Sequence, residues 1–95
     1  MTMQIWKIER KDRGGYDTFD SAVVIAETEQ EARFTSPNGY QVWLPESGWV
    51  RESTMKRDAF DDRSWTSPDN VTATEIGRAH PGSERRVIVA SFNAG

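Results

Sequence analysis

The chain has no cysteine. Disulfide staples, thiolate metal sites and thiol nucleophiles are therefore excluded, and the redox compartment is unmarked. It has a single histidine, His80, in the turn sequence Ala79-His80-Pro81-Gly82. No local spacing gives that imidazole a catalytic or metal-binding partner, so it reads as a turn residue. A basic excess is missing too: 15 acidic residues outweigh 12 Lys and Arg, for a net charge of −3. That balance opposes generic duplex nucleic-acid binding, which needs many cationic contacts to phosphate. No apolar run approaches membrane-spanning length. The opening MTMQIWKIERKD turns charged within a few residues and lacks the apolar core of a secretory signal, so a cytoplasmic protein is expected. The pair Gly14-Gly15 lacks the lysine, the further glycine and the following helix of a phosphate loop. Ser91 has no nucleophile-elbow context. No enzyme, cofactor or metal site is expected.

What is present begins with Asp20–Phe34, DSAVVIAETEQEARF. The run Ala22–Ala26 is apolar throughout and rich in β-branched side chains, which predicts a strand covered on both faces. Thr28-Glu29-Gln30-Glu31 follows in capping-box form, and a helix should run from Thr28 to a stop before Pro37. Thr2–Lys11 alternates and carries Lys7, Glu9 and Arg10, which reads as a strand near a sheet edge. Tyr40–Leu44 is a further strand, and Trp49-Val50 re-enters the core. The polar stretch Arg51–Arg63 reads as either a short surface helix or a loop. Val71–Ala79 is a β-branched strand with Gly77 at a bulge. Arg85–Phe92 is a second continuous apolar strand, expected to pair with Val71–Ala79 through the turn at His80 and to lie beside Ala22–Ala26.

The 95 residues make one domain, 1–95. The element order predicts an α+β fold: a small, mostly antiparallel sheet of four or five strands with one short helix packed on a face. One short helix cannot cover a whole sheet. Either the middle segment covers the second face or another subunit does, and a homodimer or higher homo-oligomer is favoured.

The candidate binding residues come from charge and aromatic chemistry. Arg10 and Arg13 flank the first turn, and Arg85 and Arg86 open the last strand. If the first and last strands approach, these guanidinium groups suit a phosphate. Trp6, Tyr16, Trp65 or Phe92 would then stack on a base. Asp17 and Asp20, ahead of the buried strand, would accept from ribose hydroxyls or serve as turn residues. Ser91 and Asn93 add donors and acceptors in the polar tail. The competing reading makes the arginines guards of strand ends and the aromatics core. Asp58, Asp61 and Asp62 alternate with Lys56, Arg57 and Arg63 and read as a self-neutralising surface.

Several stretches resemble a group of small phage- and prophage-encoded proteins: Tyr16-Asp17, Asp20–Ala26, Glu29, Glu31–Arg33, Trp65, Pro68-Asp69, Val71, Ile76-Gly77 and above all the closing Ala90-Ser91-Phe92-Asn93-Ala94-Gly95. The match covers about two-thirds of the chain and omits Thr35–Ser64. The resemblance implies a phage origin, and phages use many small single domains to blunt host immunity. With the arginine and aromatic residues above, the expected function is a non-enzymatic protein that antagonises host defence by binding and sequestering a nucleotide-like immune signal. The alternative is an inhibitor that binds a host defence protein, such as a CRISPR effector, through an acidic, tryptophan-bearing surface.

Overall fold

A computed structural model describes residues 3–12, 18–57 and 65–93. The fold is α+β. Strands β1 (Gln4–Arg10), β2 (Thr18–Ala26), β5 (Val71–Arg78) and β6 (Arg86–Asn93) form an antiparallel sheet in the order β5-β1-β2-β6. Helix α1 (Glu29–Arg33) follows β2, and β3 (Gln41–Leu44) with β4 (Gly48–Arg51) makes a separate hairpin. A single 3-10 turn, Pro68–Asn70, leads into β5.

The two apolar segments are neighbours as expected: Ala22, Val23 and Val24 pair with Ala90, Val89 and Val87. β2 is interior and is buried at Ala22, Val24, Ile25 and Ala26, with Val23 half-buried. β6 is an edge, and its apolar run is open to solvent: Ile88 is 46% and Val89 58% exposed. The expectation that both runs are covered on two faces fails for β6, and in β2 it is met at Ile25 but not at Val23, which shares the open face of Lys7.

Two pairings differ from the sequence reading. β1 is interior, hydrogen-bonded to β2 and to β5. Its charges do not guard an edge. Lys7 and Glu9 lie two residues apart on one face, 3.6 Å from Nζ to Oε1, and that face is uncovered there. β5 and β6 occupy opposite edges instead of pairing with each other. The turn at His80-Pro81-Gly82-Ser83 forms, with Ser83 N–H donating to the His80 carbonyl, but the chain then crosses the end of the sheet. The bulge expected at Gly77 sits one residue earlier. Ile5 pairs with Gly77 and Trp6 with Glu75, which extrudes Ile76.

The capping box at α1 is built from the residues that announce it. Glu31 N–H donates to Thr28 Oγ1 at 3.1 Å, and the Glu31 carboxylate accepts from the N–H of Glu27 at 2.9 Å. The helix is shorter than the sequence predicts, ending at Arg33, with Phe34 as C-cap. It places Ala32 in a core made by Ile8, Ala22, Val24, Ala26, Trp65 and Val71. Trp6, Phe19, Trp49 and Val87 pack around that cluster. Trp49 and Trp65 thus bring the described part of the middle segment to the same side of the sheet as the helix. Of Arg51–Arg63, Arg51 ends β4 and 52–55 is a turn; 58–64 lie outside the described residues, and with them Asp58, Asp61 and Asp62.

Candidate functional site: a tryptophan cleft beside the helix

Of the residues named from sequence, Arg13, Tyr16 and Asp17 lie outside the described residues. The others fall at two ends of the sheet. Arg10 sits where β1 leaves the sheet, close to Phe19 of β2, and Trp65 packs beside it. Asp20 is extruded from the β2–β6 register, since Phe19 pairs with Phe92 and Ser21 with Ser91. Asn93 pairs with Thr18 at this same end. Arg86 pairs with Ile25, at the far end of the strand, and Arg85 precedes it. A four-arginine cluster does not assemble, because β2 separates β1 from β6 and the antiparallel order sends Arg10 and Arg86 to opposite ends.

Nor is Arg10 open to a ligand. Its side chain is 10% exposed. Nε and Nη2 donate to the two carboxylate oxygens of Asp12 at 2.9 and 3.1 Å, and Nη1 donates to the Phe19 carbonyl at 3.4 Å. The guanidinium lies over the Trp65 ring, 5.7 Å from its centroid. Asp12 also accepts from Thr66 Oγ1 at 3.1 Å, which in turn accepts from Asn70 Nδ2 at 3.2 Å. Hydrogen bonding from Arg10 holds the Asp12 carboxyl below its ordinary value, partly opposed by desolvation. Trp65 is 7% exposed and belongs to the core, so it offers no face to a base. This end is a structural clasp between β1 and the segment that enters β5.

A shallow pocket on the open sheet face is lined by Lys7, Val23, Val89 and Ser91, and two larger concave surfaces lie on either side of α1. The larger is a cleft of about 520 Å³ lined by Glu29, Gln30, Arg33, Phe34, Trp43, Pro45, Pro68 and Asp69. Three elements hold it. Phe34 follows the helix, its N–H donating to the Gln30 carbonyl at 2.9 Å. Trp43 N–H donates to the Phe34 carbonyl at 3.0 Å, which ties β3 to the helix end. Trp43 meets Trp49 edge-on, with centroids 5.4 Å apart and planes at 74°. Trp49 Nε1 donates to the Thr66 carbonyl at 3.0 Å and so anchors the strand that leads to Pro68 and Asp69. Gly48 turns the β3–β4 hairpin at φ +81, a conformation that L side chains rarely adopt.

The lining is apolar at Phe34, Trp43, Pro45 and Pro68 and carries two carboxylates, Glu29 and Asp69, against one guanidinium. Arg33 Nη1 lies 3.7 Å from Glu29 Oε1. Its Nε is buried and has no hydrogen-bond partner. The cleft therefore combines an aromatic wall with an acidic bias.

A second cleft of about 340 Å³ is lined by Thr28, Gln30, Glu31, Phe34, Thr35, Val42 and Arg85. Arg85 Nη1 donates to Thr35 Oγ1 at 3.2 Å, and its guanidinium pairs with Glu52. Of the sequence-named residues, Arg85 is the one that lines either of these clefts. The sequence reading missed Arg33, Phe34, Trp43, Pro45, Pro68 and Asp69. The available signal was the Glu29–Arg33 pair four apart on a short capped helix, with a tryptophan two residues before a proline.

Among the described residues no group of three or more His, Asp or Glu side chains is placed to hold a metal ion. No helix among them is long and apolar enough to cross a membrane. No family model, curated protein or solved structure matches this chain.

Proposed function

We propose that this protein is a non-catalytic binding module that captures a segment of a partner protein in the cleft beside α1. The partner segment is basic and carries an aromatic or aliphatic side chain. One observation carries the reading: Trp43, Phe34, Pro45 and Pro68 form a wall that bears two carboxylates, Glu29 and Asp69. A peptide side chain buried against such a wall gains about 25 cal/mol per Å² of apolar surface. A lysine or arginine of the partner would meet Glu29 or Asp69. The net charge of −3 favours approach of a basic partner. The resemblance to phage-encoded proteins would make that partner a host defence protein and the module its inhibitor.

A second reading, sequestration of a nucleotide-like signal, draws on the smaller cleft, where Arg85 and the Thr28 hydroxyl suit a phosphate. Its weakness is that Glu52 already neutralises Arg85.

Panning a displayed random-peptide library against the protein separates the two. The first reading expects enrichment of Lys or Arg beside an aromatic or aliphatic residue, loss of binding in Trp43→Ala, and a switch towards acidic peptides in the Glu29→Lys/Asp69→Lys double variant. No enrichment, or selected peptides that bind Trp43→Ala at full strength, overturns it. A large thermal shift with one member of a cyclic and NAD-derived nucleotide panel, abolished by Arg85→Ala, would install the second reading instead.

A further inference from the structure

We infer that β6 is the interface of a symmetric homodimer, in which the strand pairs antiparallel with its own copy about Ala90. This does not depend on the proposed function, since the strand lies outside both clefts beyond Arg85.

The two edges of the sheet differ. β5 carries Glu75 and Arg78, charges that block edge-to-edge pairing. β6 carries no charge and no proline from Val87 to Asn93. Like β5 it has a bulge that extrudes an isoleucine, here Ile88, because Val23 pairs with Val89 and Val24 with Val87, so charge is what separates the two edges. Its unpaired backbone groups and its apolar side chains are presented together. Ile88, Val89 and Phe92 are 46%, 58% and 47% exposed.

The sequence around Ala90 is complementary to itself. An antiparallel pair centred there sets Ala90 opposite Ala90 of the second copy, Val89 opposite Ser91, and Ile88 opposite Phe92, each of the last two pairs occurring twice. The half-exposed isoleucine of each copy thus meets the half-exposed phenylalanine of the other. Phe92 is already braced by Phe19, with centroids 4.9 Å apart, so it is ordered before the partner arrives. The small, uncharged Ala90 and Ser91 at the centre let the backbones close. The product is one continuous sheet made of both four-stranded sheets. Other partners for this strand, a different protein above all, are outcomes that the oligomer measurement would reveal as monomer in the pure state.

The chain's lack of cysteine allows a direct test. Ala90→Cys puts two sulfurs across the two-fold axis within the Cα separation that a disulfide spans, about 4.4–6.8 Å. Thr74→Cys, exposed on the opposite edge strand, is the control. Light scattering of the purified wild type should give the mass of two chains, and Ile88→Asp should give one. Mild oxidation should convert Ala90→Cys largely to a covalent dimer while Thr74→Cys stays mostly single. Ile88→Asp/Phe92→Lys, which places opposite charges at both crossings, should recover the dimer. A wild type of one-chain mass, equal cross-linking of the two cysteine variants, or none in either, overturns the interface.

Discussion

Replacing Arg10 by methionine tests whether this residue belongs to a ligand site or to the structural clasp. Methionine keeps much of the packing stem and removes the guanidinium. Three interactions go: the two-oxygen grip on Asp12, the contact to the Phe19 carbonyl, and the stack on Trp65. A charged hydrogen-bonded pair is worth about 1.5–3 kcal/mol. The Asp12 side chain is 39% exposed, so water can re-solvate its carboxylate, which lowers that figure to about 1–2 kcal/mol. Loss of the cation–π contact adds about 0.5–1 kcal/mol. The expected destabilisation is about 1.5–3 kcal/mol, or a fall in melting temperature of about 6–24 °C for a domain of this size. Urea and thermal denaturation of the free protein measure it, and a double-mutant cycle with Asp12→Asn isolates the pair. The pH dependence follows from the lowered Asp12 carboxyl. A carboxyl held lower in the folded chain stabilises it above its unfolded value of about 3.9, and the benefit is lost as pH falls from there through the folded value. The gap between wild type and Asp12→Asn should therefore close below about pH 4. An Arg10→Met protein within about 0.5 kcal/mol of wild type would refute the clasp, since that is the range of an ordinary surface substitution.

Other expectations are smaller. Thr28→Ala removes the side-chain acceptor of the Glu31 N–H and should cost about 1 kcal/mol in urea denaturation, whereas Thr28→Ser should cost little. Met55 has φ 57, in the left-handed region that L side chains avoid, and it is 52% exposed. Met55→Gly should raise stability by about 0.5–1 kcal/mol, measured by the same melts, because relief of strain exceeds the entropy that glycine adds to the unfolded chain. Gly48→Ala should lower the melting temperature by several degrees, about 1 kcal/mol, since alanine is strained at φ +81.

The local chemistry of the chain was readable where one residue type has one use. Thr28 and Glu31 announce the helix, and they cap it. The β-branched runs announce two adjacent strands, and those strands pair. What the residues could not say is which side of an element meets solvent. Lys7 and Glu9 in β1 mark an open sheet face, and the same alternation would mark an edge. Val87–Ala90 has the composition of a buried strand, yet its position at the edge comes from β1 taking both β2 and β5 as partners. Trp65 and Trp43 are the same residue in sequence. Long-range contacts seal the first under Arg10 and leave the second half-buried on a cleft wall. Arg10 and Arg86 were grouped because both flank apolar strands, and only strand order shows that they point to opposite ends.

The contrast between these tryptophans gives a direct reading of where the protein binds. Fluorotryptophan labelling yields one fluorine resonance for each of the four tryptophans, assigned by single substitutions. On titration with a selected basic, aromatic peptide, the Trp43 resonance should move and saturate while those of Trp6 and Trp65 stay in place. If Trp65 moves and Trp43 does not, or if no resonance moves while the peptide is bound, the cleft beside the helix is not the binding site.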